Sequence, residues 1–92
     1  MQLTIELTKP FTEAVGKDEI ILQFEGSTVH DLMRKLTELY PGLQSMFYSE
    51  TGSITEYMIV FVNSKPLSAL NGMETELSDD DRLYILFPIS GG

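Results

Sequence analysis

Arg82-Leu83-Tyr84-Ile85-Leu86-Phe87 is an apolar run behind a single arginine, and Pro88-Ile89-Ser90-Gly91-Gly92 follows it directly. The run reads as a strand. Pro88 ends it, because proline has no N–H for a sheet ladder. Residues 89–92 carry no pattern that would anchor them, so 88–92 read as a tail. Two terminal glycines arise by chance in about one chain in 200. The pair therefore needs the pattern in front of it to carry meaning.

Outward from this stretch, Ser78-Asp79-Asp80-Asp81 is the turn that feeds the strand. Tyr57 to Val62 is a second unbroken apolar run, expected to be a strand covered on both faces. Asn63-Ser64-Lys65-Pro66 reads as a turn. Residues 67–70 read as a short edge strand, with Asn71-Gly72 as a further turn. At the other end, Met1, Leu3, Ile5 and Leu7 alternate with Gln2, Thr4, Glu6 and Thr8. Period two means a strand with one buried face. Lys9-Pro10 closes it, and residues 11–18 read as a loop with its turn at Gly16-Lys17-Asp18. Residues 19–25 form a strand with Ile20, Leu22 and Phe24 on one side, close enough to pair antiparallel with the first.

One helix stands between these strands. Thr28 is its N-cap, and Asp31 completes a capping-box pattern. Val29, Leu32, Met33, Leu36, Leu39 and Tyr40 make its apolar stripe. Asp31–Lys35 and Arg34–Glu38 have the spacing of ion pairs on the wet side. Tyr40-Pro41-Gly42 stops the helix. Leu43, Met46 and Phe47 add a turn under the core, and residues 48–56 read as a mobile loop. The order is strand, strand, helix, strand, short strand, strand, with the first and last strands adjacent in the middle of the sheet. One helix covers one sheet face. The other face is expected to show apolar side chains, which mark a partner surface.

Composition narrows the function. The 92 residues fit one domain, with 42% hydrophobic and 22% charged residues. There is no cysteine, which removes disulfides, thiolate metal sites and cysteine nucleophiles. No secretory signal and no run long enough to span a bilayer is visible. The chain reads as soluble and cytoplasmic. Its formal net charge of -8 disfavours nucleic acid and anionic membranes. The acidity either serves solubility or favours a basic protein partner.

A terminal carboxylate becomes electrophilic only as a mixed anhydride such as an acyl-adenylate. An enzyme making one must thread the chain end into its ATP site, and glycines leave no side chain to block a narrow channel. Displacement of AMP by a sulfur donor would leave a thiocarboxylate. Other features carry less. His30 lies on the polar side of the helix start, with no group to position it as a base. Asp79-Asp80-Asp81 lacks the glycine and closing glutamate of a calcium loop. Met33 and Met46 read as core filler. No glycine-rich phosphate loop precedes a helix, so the chain itself is expected to bind neither ATP nor metal.

Four stretches resemble the MoaD/ThiS sulfur carriers, and most closely their molybdopterin synthase small subunits: Phe11-Thr12-Glu13-Ala14-Val15-Gly16; Gly26 to Leu32 with Tyr40-Pro41-Gly42-Leu43; Val60-Phe61-Val62-Asn63; and Leu77 to Leu83 with Phe87 to Gly92. The resemblance implies a β-grasp, ubiquitin-like α+β fold: a mixed sheet of 4–5 strands on one main helix, as a single domain over 1–92 with 88–92 as its flexible working tail. It implies that the Gly92 carboxylate is the reacting group, adenylated by an E1-like enzyme that uses Mg-ATP. A sulfurtransferase then supplies sulfur, and Pro88, Ile89, Ser90, Gly91 and Gly92 insert into the molybdopterin synthase large subunit. Catalysis would reside in those partners. The resemblance also places Leu83, Ile85 and Phe87 inward with Met58, Val60 and Val62. Tyr84 and Leu86 then face outward with Tyr57, Ile59 and Phe61, giving a partner patch of Ile59, Phe61, Tyr84 and Leu86. Three features depart from the family pattern. Asp79-Asp80-Asp81 stands where Asp-Gly-Asp is common, residues 48–56 and 68–76 are long, and the tail reads Phe-Pro-Ile rather than Pro-Pro-Val. A protein modifier, a carrier for tRNA thiolation or thiazole synthesis, and a β-grasp binding module without thiolation remain open as alternatives.

Overall fold

The computed structural model describes residues 1–52, 55 and 58–86. Ser53, Ile54, Glu56, Tyr57 and 87–92 lie outside them, so the expectations for Tyr57, Phe87 and the tail are not addressed by it. Eight elements run in order: β1 (Gln2–Leu7), α1 (Phe11–Val15), β2 (Glu19–Gln23), α2 (Val29–Leu39), α3 (Gln44–Phe47), β3 (Ile59–Val62), β4 (Lys65–Pro66) and β5 (Arg82–Leu86). One 3-10 turn precedes α3 and two follow β4.

The sheet order is β2-β1-β5-β3-β4. β1 and β5 run parallel in the middle, and the other pairs are antiparallel. This is the β-grasp, ubiquitin-like arrangement that the resemblance implied. Register follows from burial. Ile20, Ile5, Leu83 and Val62 form one row across four strands, and Leu7, Ile85 and Val60 form the next. All seven are buried, and α2 closes over them with Val29, Leu32, Met33 and Leu36. Burial of such a side chain contributes about 1.5–3 kcal/mol, so a slip by one residue would turn this whole face to water. Phe11 and Phe47 cap the core edge-on, ring centroids 5.6 Å apart.

The α2 start follows its sequence signature. Thr28 Oγ1 accepts from Asp31 N, while Asp31 Oδ2 accepts from Ser27 N at 3.0 Å and Thr28 N at 3.2 Å. The Ser27 backbone bond, then that of Thr28, holds the Asp31 carboxyl below its ordinary value of 3.8. A depressed folded value means the cap is fully stabilising above pH about 4 and is lost as pH falls through the folded value. Thermal melts across acid pH should therefore show a shallower acid-side loss for Asp31→Asn than for the parent, and a lower Tm at neutral pH.

Several expectations are corrected. Residues 11–15 are a helix, not a loop: Gly16 sits at φ 88 and closes it by donating to Thr12 O at 2.8 Å. Leu39 is exposed and so drops out of the α2 stripe. The wet-side pairs do not form; among the described residues the only ion pairs are those of Arg82 with Glu6 and Glu19. β3 is not covered on both faces, because Val60 and Val62 are buried while Ile59 is exposed. The edge strand is Lys65–Pro66, not 67–70. A two-residue turn at Asn63-Ser64, with φ 50 and 73, brings it back against β3.

The aspartate triplet is a built turn. Asp79 Oδ1 accepts from Gln2 N at 2.7 Å, Asp81 Oδ2 accepts from Ser78 N at 2.8 Å, and Asp81 Oδ1 accepts from Asn63 Nδ2 at 2.7 Å. Asp80 between them has φ 68, a conformation that glycine adopts without strain. Asp80→Gly should stabilise the fold by about 0.5–1 kcal/mol, read as a Tm higher by a few degrees. An unchanged or lower Tm would contradict the strain at this position.

Candidate functional site

The sheet face away from α2 is open, and its side chains run in rows set by the same register. Glu19, Glu6, Tyr84, Phe61 and Pro66 form one row, Ile21, Thr4 and Arg82 a second, and Leu86 lies beside Ile59. Toward β3 the face is apolar. Ile59 and Tyr84 are exposed, Phe61 and Leu86 are half-buried, and the Phe61 and Tyr84 rings lie 6.5 Å apart. The structure thus brings Ile59, Phe61, Tyr84 and Leu86 together on the side expected for them. Among the described residues these four large apolar side chains form one contiguous patch on the outer face.

Toward β1 the face becomes ionic, which the sequence reading did not include. The Arg82 guanidinium contacts Glu6 and stands 3.8 Å from Glu19. The Arg82 backbone N–H donates to Asn63 Oδ1 at 3.0 Å, and Asn63 N–H donates to Arg82 O at 2.8 Å. The β3–β4 turn is thereby fixed against the start of β5. Between turn and sheet lies a concavity of about 800 Å³, lined by Phe61, Asn63, Asp80, Arg82, Tyr84 and Leu86. The signal for this half was present: Arg82 is the one cation on a strand otherwise apolar, and parity with Tyr84 puts it on the outer face.

Pro88, Ile89, Ser90, Gly91 and Gly92, the expected tail site, lie outside the described residues. Leu86, the last described residue, ends a central strand within the apolar half of the open face. No group of three or more His, Asp or Glu among the described residues is placed to hold a metal. No helix among them is long and apolar enough to cross a membrane.

Comparison with known proteins is consistent along the whole chain. The model of the ThiS family matches residues 5–92. The chain is 31% identical to small archaeal modifier protein 3 of Haloferax volcanii, over 100% of both chains. It is 30% identical to the molybdopterin synthase sulfur carrier subunit of Dictyostelium discoideum, over 99% of this chain and 96% of that one. The solution structure of small archaeal modifier protein 1 from Methanosarcina acetivorans superimposes with a TM-score of 0.87 at 29% identity, covering 99% of this chain and 96% of that one. The chain belongs to the ThiS family of ubiquitin-like sulfur carriers and modifiers.

Proposed function

We propose that this chain carries sulfur for molybdopterin synthesis as the small subunit of the synthase, with the Gly92 carboxylate as the group that is charged. The observation that carries the reading is the position of Leu86, which ends a central strand beside exposed Ile59 and Tyr84 and half-buried Phe61. An enzyme docked on that strip receives the remaining residues directly. Six residues reach about 20 Å when extended, and Gly91-Gly92 can enter a narrow channel without a side chain in the way. The similarity to a molybdopterin synthase sulfur carrier subunit over nearly both full lengths supports the choice of acceptor.

The chemistry proceeds on partners. In an E1-like enzyme a carboxylate oxygen of Gly92 attacks the α-phosphorus of Mg-ATP, and pyrophosphate leaves. A sulfurtransferase brings sulfur at the sulfide level, which attacks the acyl carbon, and AMP leaves. The resulting thiocarboxylate enters the synthase large subunit and gives its sulfur to a pterin precursor, with water restoring the carboxylate. This chain contributes docking, reach and a reacting end, and partners contribute catalysis. The net charge of -8 favours basic surfaces on them.

A second reading is favoured by the 31% identity to small archaeal modifier protein 3 along its whole length. Here a lysine amine of a target displaces AMP and an isopeptide bond forms at Gly92. Both readings need the same activated end and part after it. The charged chain should return to its carboxylate form when incubated with the large subunit and pterin precursor, and sulfur should appear in the pterin. Isopeptide adducts on target lysines, with no sulfur reaching the pterin, would support the modifier reading instead.

A further inference from the structure

The two edges of the sheet are not alike. The β4 edge is two residues long and contains Pro66, so it offers almost no ladder to a neighbouring strand. The β2 edge is five residues long with no proline. Its hydrogen bonds to β1 come from alternate residues. Met1 and Phe24 exchange both backbone bonds, and Leu7 N–H donates to Asp18 O at 2.9 Å. The antiparallel alternation then assigns Leu22 and Ile20 to β1, and turns the N–H and C=O groups of Glu19, Ile21 and Gln23 outward. The side chains of those same three residues are exposed, and Ile21 is 63% exposed, the most open of the large apolar residues among those described.

We propose that this edge pairs with the same edge of a second copy of this chain, antiparallel and centred on Ile21. The register selects this occupant. With Ile21 opposite Ile21 of the second copy, Glu19 faces Gln23, and Lys17 and Glu25, each two residues beyond the strand ends, come opposite one another, each pair twice by symmetry. Carboxylate then meets amide, ammonium meets carboxylate, and the two apolar side chains meet on the two-fold axis. Shifted by one step either way, Glu19 falls opposite Glu25 or opposite Ile21, and the lysine–glutamate match is gone. The edge charge is already moderated within each copy, since Arg82 stands 3.8 Å from Glu19. The pairing joins two sheets into one and leaves the strip of Ile59, Phe61, Tyr84 and Leu86, at the far side of each sheet, free for other proteins. The short ladder makes a weak, concentration-dependent dimer.

Sedimentation equilibrium and amide exchange of the full chain at physiological ionic strength test this. The weight-average mass should rise toward the dimer with concentration, and the amides of Glu19, Ile21 and Gln23 should gain protection in parallel. Ile21→Lys places two ammonium groups on the axis and should weaken association at least about tenfold. Lys17→Glu or Glu25→Lys alone should weaken it at least about threefold, and the double swap should recover it. Monomer at every concentration overturns the proposal. So does a dimer protected at other amides, a double swap that fails to recover, or protection of this edge that arises only when a different protein is added.

Discussion

Phe61→Asp leaves the domain folded and weakens its binding to the activating enzyme by at least about a hundredfold, equivalent to about 2.8 kcal/mol. Phe61 projects from β3 onto the open face, half-buried beside Tyr84 with 6.5 Å between ring centroids, so its removal takes nothing from the core. In a docked complex the ring would contribute about 1.5–3 kcal/mol of apolar burial. The aspartate loses that contribution and adds an unpaired charge in a closed interface, which costs further. Strand propensity falls by about 1 kcal/mol at most, well within what a folded domain withstands. Titration calorimetry against the enzyme, with circular dichroism as the folding control, reads both halves. Unchanged affinity would move the docking face elsewhere on the molecule.

Removal of Gly91-Gly92 abolishes charging altogether. The truncated chain still ends in a carboxylate, but that carboxylate belongs to Ser90 and stands two residues short. Each residue contributes about 3.3–3.6 Å of reach, so the end misses an ATP site built for the longer chain by about 7 Å. A misplacement of about 1 Å already costs on the order of a hundredfold in rate. Pyrophosphate release by the activating enzyme should therefore fall to background, while affinity at the Phe61 face falls much less. A β-grasp domain that acts only by binding would be indifferent to the truncation.

The two largest sequence signals were periodic, and both describe the structure. The alternation of Met1 to Thr8 and the capped stripe from Thr28 set one sheet face against one helix, and the central pairing of β1 with β5 follows from them. The misreadings have a common cause. An apolar run fixes neither the number of covered faces nor the strand ends, so Tyr57 to Val62 read as a buried strand although Ile59 and Phe61 lie on the outer face. The α1 helix is only five residues long with one buried side chain, too short for a period, and only Gly16 behind it marked its end. The ionic half of the open face was hidden for a different reason. Glu6, Glu19 and Arg82 lie on three separate strands, and their meeting depends on a parallel register that no local pattern encodes. Asp80 illustrates the reverse: it stands where the resemblance expects glycine, and it takes the left-handed conformation, φ 68, that glycine adopts without strain.

Both readings of the function require that the Gly92 carboxylate be charged. Intact mass spectrometry of the purified chain, after incubation with its E1-like enzyme, Mg-ATP and a sulfurtransferase system, tests it most directly. The predicted result is a mass increase equal to exchange of one oxygen for sulfur, lodged on Gly92 by fragmentation and absent when ATP is omitted. An unmodified mass, with no adenylate and no thiocarboxylate on Gly92, would contradict it.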